Sequence, residues 1–400
     1  MTTRLTGPIS PARRAAFDVL TAVSEGQYAS DALRESTRAF DGRDAGLASQ
    51  IVFGVLRYQG QLDYLIKLYS HRQPESLDRA VLIALRTAVF QLRYLQRIPP
   101  HAAVHETVEL VKRHKRAAAG LVNAVLRKVR RDPLPWPDRA TELSCPEWLL
   151  SRWSGHFGQQ EAIAIAKAAL EQPVPYLRIP PGTEPPSGWD IEPTAVPGAF
   201  RLLTSFGEDA PPTGVRLHDI SSQAILPLLE LQPGNTYLDV CAAPGNKTRQ
   251  ALETALGLAV ACDISPKRIS SVPPVCPRVV LDGTDPLPFR CRFDRVFIDA
   301  PCSGTGTIGR NPEIKWRVQE QEFHKFSERQ VQLVLRGMEV LTPGGKLLYA
   351  TCSLEREENE DVVAEVGRLK PGVQVERQLW RVPGRDEGDG FFAALFSLRT

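Results

Sequence analysis

At 400 residues, 42% hydrophobic and 24% charged, the chain is large and apolar enough for two or three globular domains. Its formal charge of +3 is too small to demand a polyanionic partner, and apolar runs such as AIAIA and LGLAVAC are too short to cross a bilayer, so no membrane association is expected. No apolar leader follows MTTRLTGPISPARRAAF, and the seven cysteines, an odd number with no CxxC or CxxH spacing, predict a cytoplasmic protein with free thiols, no disulfide framework and no bound metal.

Residues 11 to 132 read as successive helices, which sets an all-α domain over residues 1–135. ARRAAFDVLTAV, LASQIVFGVLRYQGQLDYLIKLY and LDRAVLIALRTAVFQLRYL place apolar side chains at three- and four-residue spacing without strand alternation. Breaks fall at Gly42 and Asp44, at Pro74 and Ser76, and at Pro99-Pro100. The last two helices, AVHETVELVKRH and AAAGLVNAVLRKVRR, carry Lys112, Arg113, Lys115, Arg116, Arg127, Lys128, Arg130 and Arg131 against Glu106 and Glu109. That cluster suits phosphate neutralisation, and equally suits a solvated face with positive charge near helix C-termini.

DPLPWPDRATELSCPEW, at 132 to 148, is a linker leading to a helical stretch from about 147 to 171. Residues 172 to 215 are proline- and glycine-rich with strand candidates VPYLRIP and GAFRLLT, so residues 136–215 are expected to form a small α/β linker region.

From residue 216 to the end, short apolar runs alternate with helical or loop segments: TYLDVCA, LAVACD, RVVLD, RVFIDA and KLLYAT. Such alternation predicts a Rossmann-like, parallel, doubly wound sheet with ligands at the carboxyl ends of its strands. After the first strand comes Cys241-Ala242-Ala243-Pro244-Gly245-Asn246-Lys247, small residues that let a ligand approach the backbone and a helix N-terminus. Neither a P-loop nor GxGxxG is present. Asp263, Asp282 and Asp299 close the next three strands. Singly each is most simply a cap or turn residue, but three in succession are harder to dismiss, and Asp263 is placed to accept from ribose hydroxyls. An adenosine-type cofactor without a phosphate cradle points to S-adenosyl-L-methionine rather than ATP or NAD.

Cys302 follows RVFIDAP and Cys352 follows KLLYAT, and the fourth and fifth strands of such a sheet are neighbours, so both thiols are expected in one crevice. Buried core cysteines are the alternative. Both residues lie beyond strand ends, among Pro, Ser, Gly and Thr, which favours chemistry.

LDVCAAPGNKT, ACDISPKR, DAPCSGTGTIGRNPEIKW and YATCSLEREENEDVV resemble the successive motifs of the RNA 5-methylcytosine methyltransferases. ARRAAFDVL, LASQIVFGVLRYQGQLDYLI, AVHETVELVK and GLVNAVLRKV resemble a NusB-like RNA-binding domain, and this fusion is similar to that of the bacterial Sun (RsmB-type) family. The resemblance spans residues 10 to 399. It implies a methyltransferase domain over 216–400 that transfers methyl to C5 of a cytosine in 16S ribosomal RNA or its small-subunit precursor, at position 967. Cys352 is then the nucleophile on C6, and Cys302 assists proton removal and product release. Asp299 holds the cytosine edge, and Lys247 lies near the target base. Residues 241 to 247 with Asp263, Asp282 and Asp299 form the cofactor site, and Arg268 matches a motif position. The family's usual second glycine of CAAPGGKT is here Asn246. A target in another ribosomal or transfer RNA, and a non-catalytic RNA-binding factor, are the competing readings. A monomer is the default, and the RNA channel is expected to be bordered by Lys112 to Arg131 and by Arg310 with Lys315.

Overall fold

The computed structural model describes residues 9–203 and 213–398, and among them no helix is long and apolar enough to cross a membrane. The chain divides into two compact units: one of residues 1–170 with 311–317, the other of 171–310 with 318–400.

Among the described residues the elements of the first unit are helices: α1 Pro11–Ser24, α2 Ala29–Ser36, α3 Gly42–Arg57, α4 Gln59–Ser70, α5 Arg79–Tyr94, α6 Pro100–Lys115, α7 Ala119–Leu126, α8 Arg139–Glu142, α9 Glu147–Phe157 and α10 Gln159–Ala168. The starts follow local chemistry. Proline occupies the first turn of α1 and α6, and Asp41 and Asp78 accept backbone N–H bonds at the heads of α3 and α5. The run read as one long helix over 47–69 is two, broken at Tyr58. Phe17, Leu20, Ile51, Val55, Leu62, Leu65, Leu85 and Val89 fill the core. At Gly54 a Cβ would lie 1.9 Å from the Phe90 ring, so only glycine lets α3 and α5 approach there. Buried Arg13 joins α1 to α5 and α6, donating to Gln91 Oε1 at 2.6 Å and Glu106 Oε1 at 2.8 Å.

The second unit begins with four short strands, β1 Tyr176–Arg178, β2 Ile191–Pro193, β3 Ala199–Leu202 and β4 Arg216–Leu217, in the order β2-β3-β1-β4. There follow α11 Ile220–Ile225, β5 Thr236–Asp239, α12 Asn246–Ala251, β6 Leu258–Asp263, α13 Pro266–Ile269, β7 Arg278–Val280 and β8 Phe293–Asp299. After α14, Ile314–Arg317, which belongs to the first unit, come α15 Glu320–Glu339, β9 Leu341–Thr351, α16 Glu360–Leu369, β10 Val373–Arg381 and β11 Phe391–Leu398. The segment 136–215 is thus shared: its helices join the first unit and its strands the second.

The large sheet has the order β10-β11-β9-β8-β5-β6-β7. β5 to β9 are parallel, but β11 runs antiparallel to both of its neighbours, so the sheet is mixed rather than wholly parallel. FFAALFSL at β11 is buried along most of its length, as expected of a strand covered on both faces.

Asn311–Arg317 packs its side chains onto helix ends of the first unit. Glu313 Oε1 accepts from Ala29 N, at the head of α2, at 3.0 Å. Lys315 Nζ and Trp316 Nε1 donate to the terminal carbonyls of α3, at Arg57 (2.8 Å) and Leu56 (2.7 Å). These contacts satisfy orphan backbone groups at two helix termini. Lys315 is therefore buried and is not an RNA-channel cation.

Candidate active site

Sheet order aligns four carboxylates along the carboxyl ends of the parallel strands: Asp299 on β8, Asp239 on β5, Asp263 on β6 and Asp282 just past β7. Between β5 and α12 the turn 241–245 ends at Gly245, whose φ of +104° suits glycine alone. A Cβ there would also meet Val272 Cα at 3.1 Å. Asn246 is the first residue of α12, outside the left-handed region, so its replacement of a glycine costs no backbone strain.

Asp263 is buried and oriented by backbone. Its Oδ2 accepts from Ala243 N at 3.3 Å and its Oδ1 from Ser265 N at 2.9 Å. Arg268 donates to Ala243 O at 2.8 Å, bracing the 241–245 turn from the far side. Asp282 Oδ1 accepts from Thr284 N and Oγ1, which together hold its carboxyl below the ordinary range. Bound ligand hydroxyls would meet side chains already aimed.

Within LDVCAAPGNKT, Asp239 carries no sequence signal beyond its place at the end of β5. It is fully buried, Thr248 Oγ1 donates to its Oδ2 at 2.7 Å, and its Oδ1 has no hydrogen-bond partner among the described residues. Burial pushes its pKa up to about 7. Lys247 reaches from α12 to Asp299, Nζ to Oδ2 at 2.7 Å, over the Phe391 ring at 4.9 Å. Burial works against its charge, but Asp299, then Cys352 and Asp239, outweigh it and raise its pKa.

Parallel neighbours β8 and β9 bring the two cysteine loops together, and Cys302 Sγ lies 3.3 Å from Cys352 Sγ. The hydrogen bond with Cys352, with burial added, pushes the Cys302 thiol well above its usual range. Cys302 therefore resists ionisation at this contact. Gly306 N donates to Cys352 O at 2.9 Å and Gly390 N to Gly306 O at 2.7 Å, which ties both loops to the start of β11.

Arg310 lies between Asp219 (2.6 Å) and Asp389 (2.7 Å). One guanidinium faces two carboxylates, and burial followed by the Asp219 charge pushes Asp389 up to about 8 despite Arg310. Arg310 is thereby committed to two carboxylates and is not a free cation for RNA. Asp389 and Glu358 have no distinct role in the sequence: DGFF and LEREENE place acidic residues beside apolar or loop segments, which is their only local signal.

The turn backbone and the aimed carboxylates fit an adenosyl amino acid. The fold and site define an S-adenosylmethionine-dependent methyltransferase with a helical partner unit. Residues 226–397 match the 16S rRNA methyltransferase RsmB/F model, and 10–131 match the NusB family. Ribosomal RNA small subunit methyltransferase B of Cronobacter sakazakii is 34% identical across 93% of this chain and 95% of that protein, and the Enterobacter sp. protein of the same name is 32% identical across 95% and 97%. Among solved structures, PH0851 superposes with a TM-score of 0.81 at 22% identity over 98% of this chain and 99% of its own. NSun6 from Pyrococcus horikoshii with SFG gives 0.53 at 17%, over 64% and 98%. The chain belongs to the ribosomal RNA small subunit methyltransferase B family.

Proposed function

We propose that this enzyme methylates C5 of a cytosine in 16S ribosomal RNA, at position 967, through a covalent bond between Cys352 and C6, in the cytoplasm. The single observation that carries the reading is the contact of two inequivalent thiols, one held protonated, at the mouth of a methyltransferase fold. S-adenosylmethionine supplies the electrophilic methyl group.

Cytosine C5 is a poor nucleophile until C6 is attacked. The Cys352 thiolate forms the C6–S bond, and electron density moves to C5, which takes the methyl. Asp299 accepts from the cytosine amino edge and the Lys247 ammonium anchors that carboxylate, an arrangement that stabilises charge on the attacked ring. Cys302 assists removal of the C5 proton by relaying it, passing its own thiol proton to solvent as it takes the new one; the C6–S bond breaks by β-elimination, and Cys352 leaves as thiolate. Residues 241–247, Asp263 and Asp282 hold the cofactor. The cytosine must be flipped or unpaired to reach the thiols.

The test is transfer of labelled methyl from S-adenosylmethionine to unmethylated small-subunit RNA, with the modified base mapped. Cys352→Ala abolishes transfer, and Cys302→Ala accumulates an RNA–protein adduct. A wild type that binds cofactor yet transfers nothing to this RNA rejects the target. Transfer that survives Cys352→Ala rejects the mechanism.

A further inference from the structure

Both catalytic-loop cysteines are followed by serine, and both serines converge on one carboxylate. Glu358 is fully buried between β9 and α16. Its Oε1 accepts from Ser303 Oγ (2.5 Å) and Ser353 Oγ (2.6 Å), and its Oε2 from Ser303 N (2.9 Å) and Gln330 Nε2 (3.0 Å). Gln330, on α15, also donates to Pro301 O at 3.0 Å, so the residues on both sides of Cys302 are gripped. On the other loop, Asn359 does the matching work. Thr351 Oγ1 donates to Asn359 Oδ1 at 2.6 Å and Asn359 Nδ2 donates to Ser353 O at 2.9 Å. Cys352 is thus held from Thr351 and Ser353.

We propose that Glu358 is a positioning residue: with Asn359 and Gln330 it sets the separation of the Cys302 and Cys352 thiols by fixing the backbone on either side of each. The inference deepens the two-thiol reading given above. A filler of the space between β9 and α15 needs no charge, and burying a carboxylate is costly unless its acceptor sites are used. Here four donors, from the Cys302 loop, the Cys352 loop and α15, use them. Burial raises the Glu358 carboxyl, and the serine and glutamine bonds pull against that rise. Its charge is also among the influences that keep the proton on Cys302. One group therefore bears on both the distance between the sulfurs and, behind the Cys352 contact and burial, the ionisation of Cys302.

The full-length chain tests this without RNA or cofactor. Diamide, an azodicarboxamide oxidant, removes two electrons and both thiol protons and becomes a hydrazine as the Cys302–Cys352 S–S bond forms. Peptide mass spectrometry follows that disulfide, with alkylation of exposed Cys291 as the internal control. In Ser303→Ala/Ser353→Ala the disulfide forms at least about tenfold more slowly while Cys291 is unaffected, and kcat for methyl transfer falls on the order of 10²-fold with KM for RNA little changed. Glu358→Gln keeps the shape, since its amide can accept on one side and donate to hydroxyls on the other. It retains the disulfide rate but moves the pH profile of Cys302 modification by methyl methanethiosulfonate to lower pH. A wild-type disulfide rate in the serine double variant, or an unmoved Cys302 profile in Glu358→Gln, overturns the proposal. Failure of the wild type to methylate the RNA would defeat the functional reading and leave these thiol measurements to decide this one.

Discussion

Lys247 and Asp299 form a 2.7 Å ion pair that joins the cofactor turn to the end of β8, one strand away from the Cys352 loop. The pair does two jobs at once: it keeps a buried ammonium compensated, and it fixes the carboxylate that the proposed reaction sets against the cytosine edge. Asp299→Asn removes the counter-charge and leaves Lys247 buried against Phe391. Methyl transfer should fall by about 10²–10³, the scale of one preorganised electrostatic group. Calorimetric unfolding should show a loss smaller than the ~3–5 kcal/mol of a wholly buried broken pair, because 32% of the Asp299 side chain is exposed. Full activity in Asp299→Asn would remove this pair from the mechanism.

Two buried groups predict opposite tilts in stability against pH. Burial lowers Lys315 from 10.5 to about 7. Between those values the unfolded chain binds a proton that the native chain lacks, so stability rises with pH across that window, with a limiting slope of ~1.4 kcal/mol per pH unit. Asp239 runs the other way: it is raised from 3.8 to about 7, the native chain holds the extra proton, and stability is lost as pH climbs through that range. Lys315→Met should raise the denaturant midpoint most below pH 7 and flatten the alkaline limb. Asp239→Asn should flatten the acid limb. Midpoints whose pH dependence matches the wild type in both variants would refute these assignments.

The parallel part of the sheet, both cysteine loops and the strand-end aspartates Asp263, Asp282 and Asp299 were legible because a strand-turn pattern is local: LAVACD or RVFIDA carries its own boundaries. Lys315 and Arg310 misled for the same reason. Formal charge is local, but what a cation touches is not, and these two are consumed by Arg57 O and by the Asp219 and Asp389 carboxylates. The convergence of Ser303 and Ser353 on Glu358 depends on β8 and β9 lying side by side, and the reversed β11 is fixed by long-range pairing with β9, information that a run such as FFAALFSL does not contain.

Gly306 tests how closely the cysteine loops must pack. A Cβ there would fall 2.4 Å from Gly390 O and 2.8 Å from Cys352 O, both backbone atoms that cannot rotate away. Gly306→Ala should therefore cost about 1–3 kcal/mol of stability and displace Cys352 enough to slow adduct formation. Adduct yield on 5-fluorocytosine RNA, measured well below the melting temperature, separates the two effects. A stable variant with wild-type adduct yield would show that the loops yield without consequence.

The basic helices of the first unit allow a sharper RNA test than their sequence suggested. Arg131 donates to Leu92 O and Leu95 O and Lys128 to Tyr69 O, so these two side chains also cap helix ends, and reversing them would confound binding with folding. Arg113, Arg116 and Arg127 are exposed, and no such carbonyl contact involves them among the described residues. If this face neutralises phosphates, Arg113→Glu/Arg116→Glu/Arg127→Glu should weaken RNA binding and flatten the salt dependence of log K by ~0.7 per lost phosphate contact on single strands. Cofactor affinity and the Cys302–Cys352 disulfide rate should stay at wild-type values, because those depend on the other unit. Unchanged affinity and salt slope would return this cluster to the solvated-face reading, with positive charge placed near helix C-termini for the stability of α6 and α7 alone.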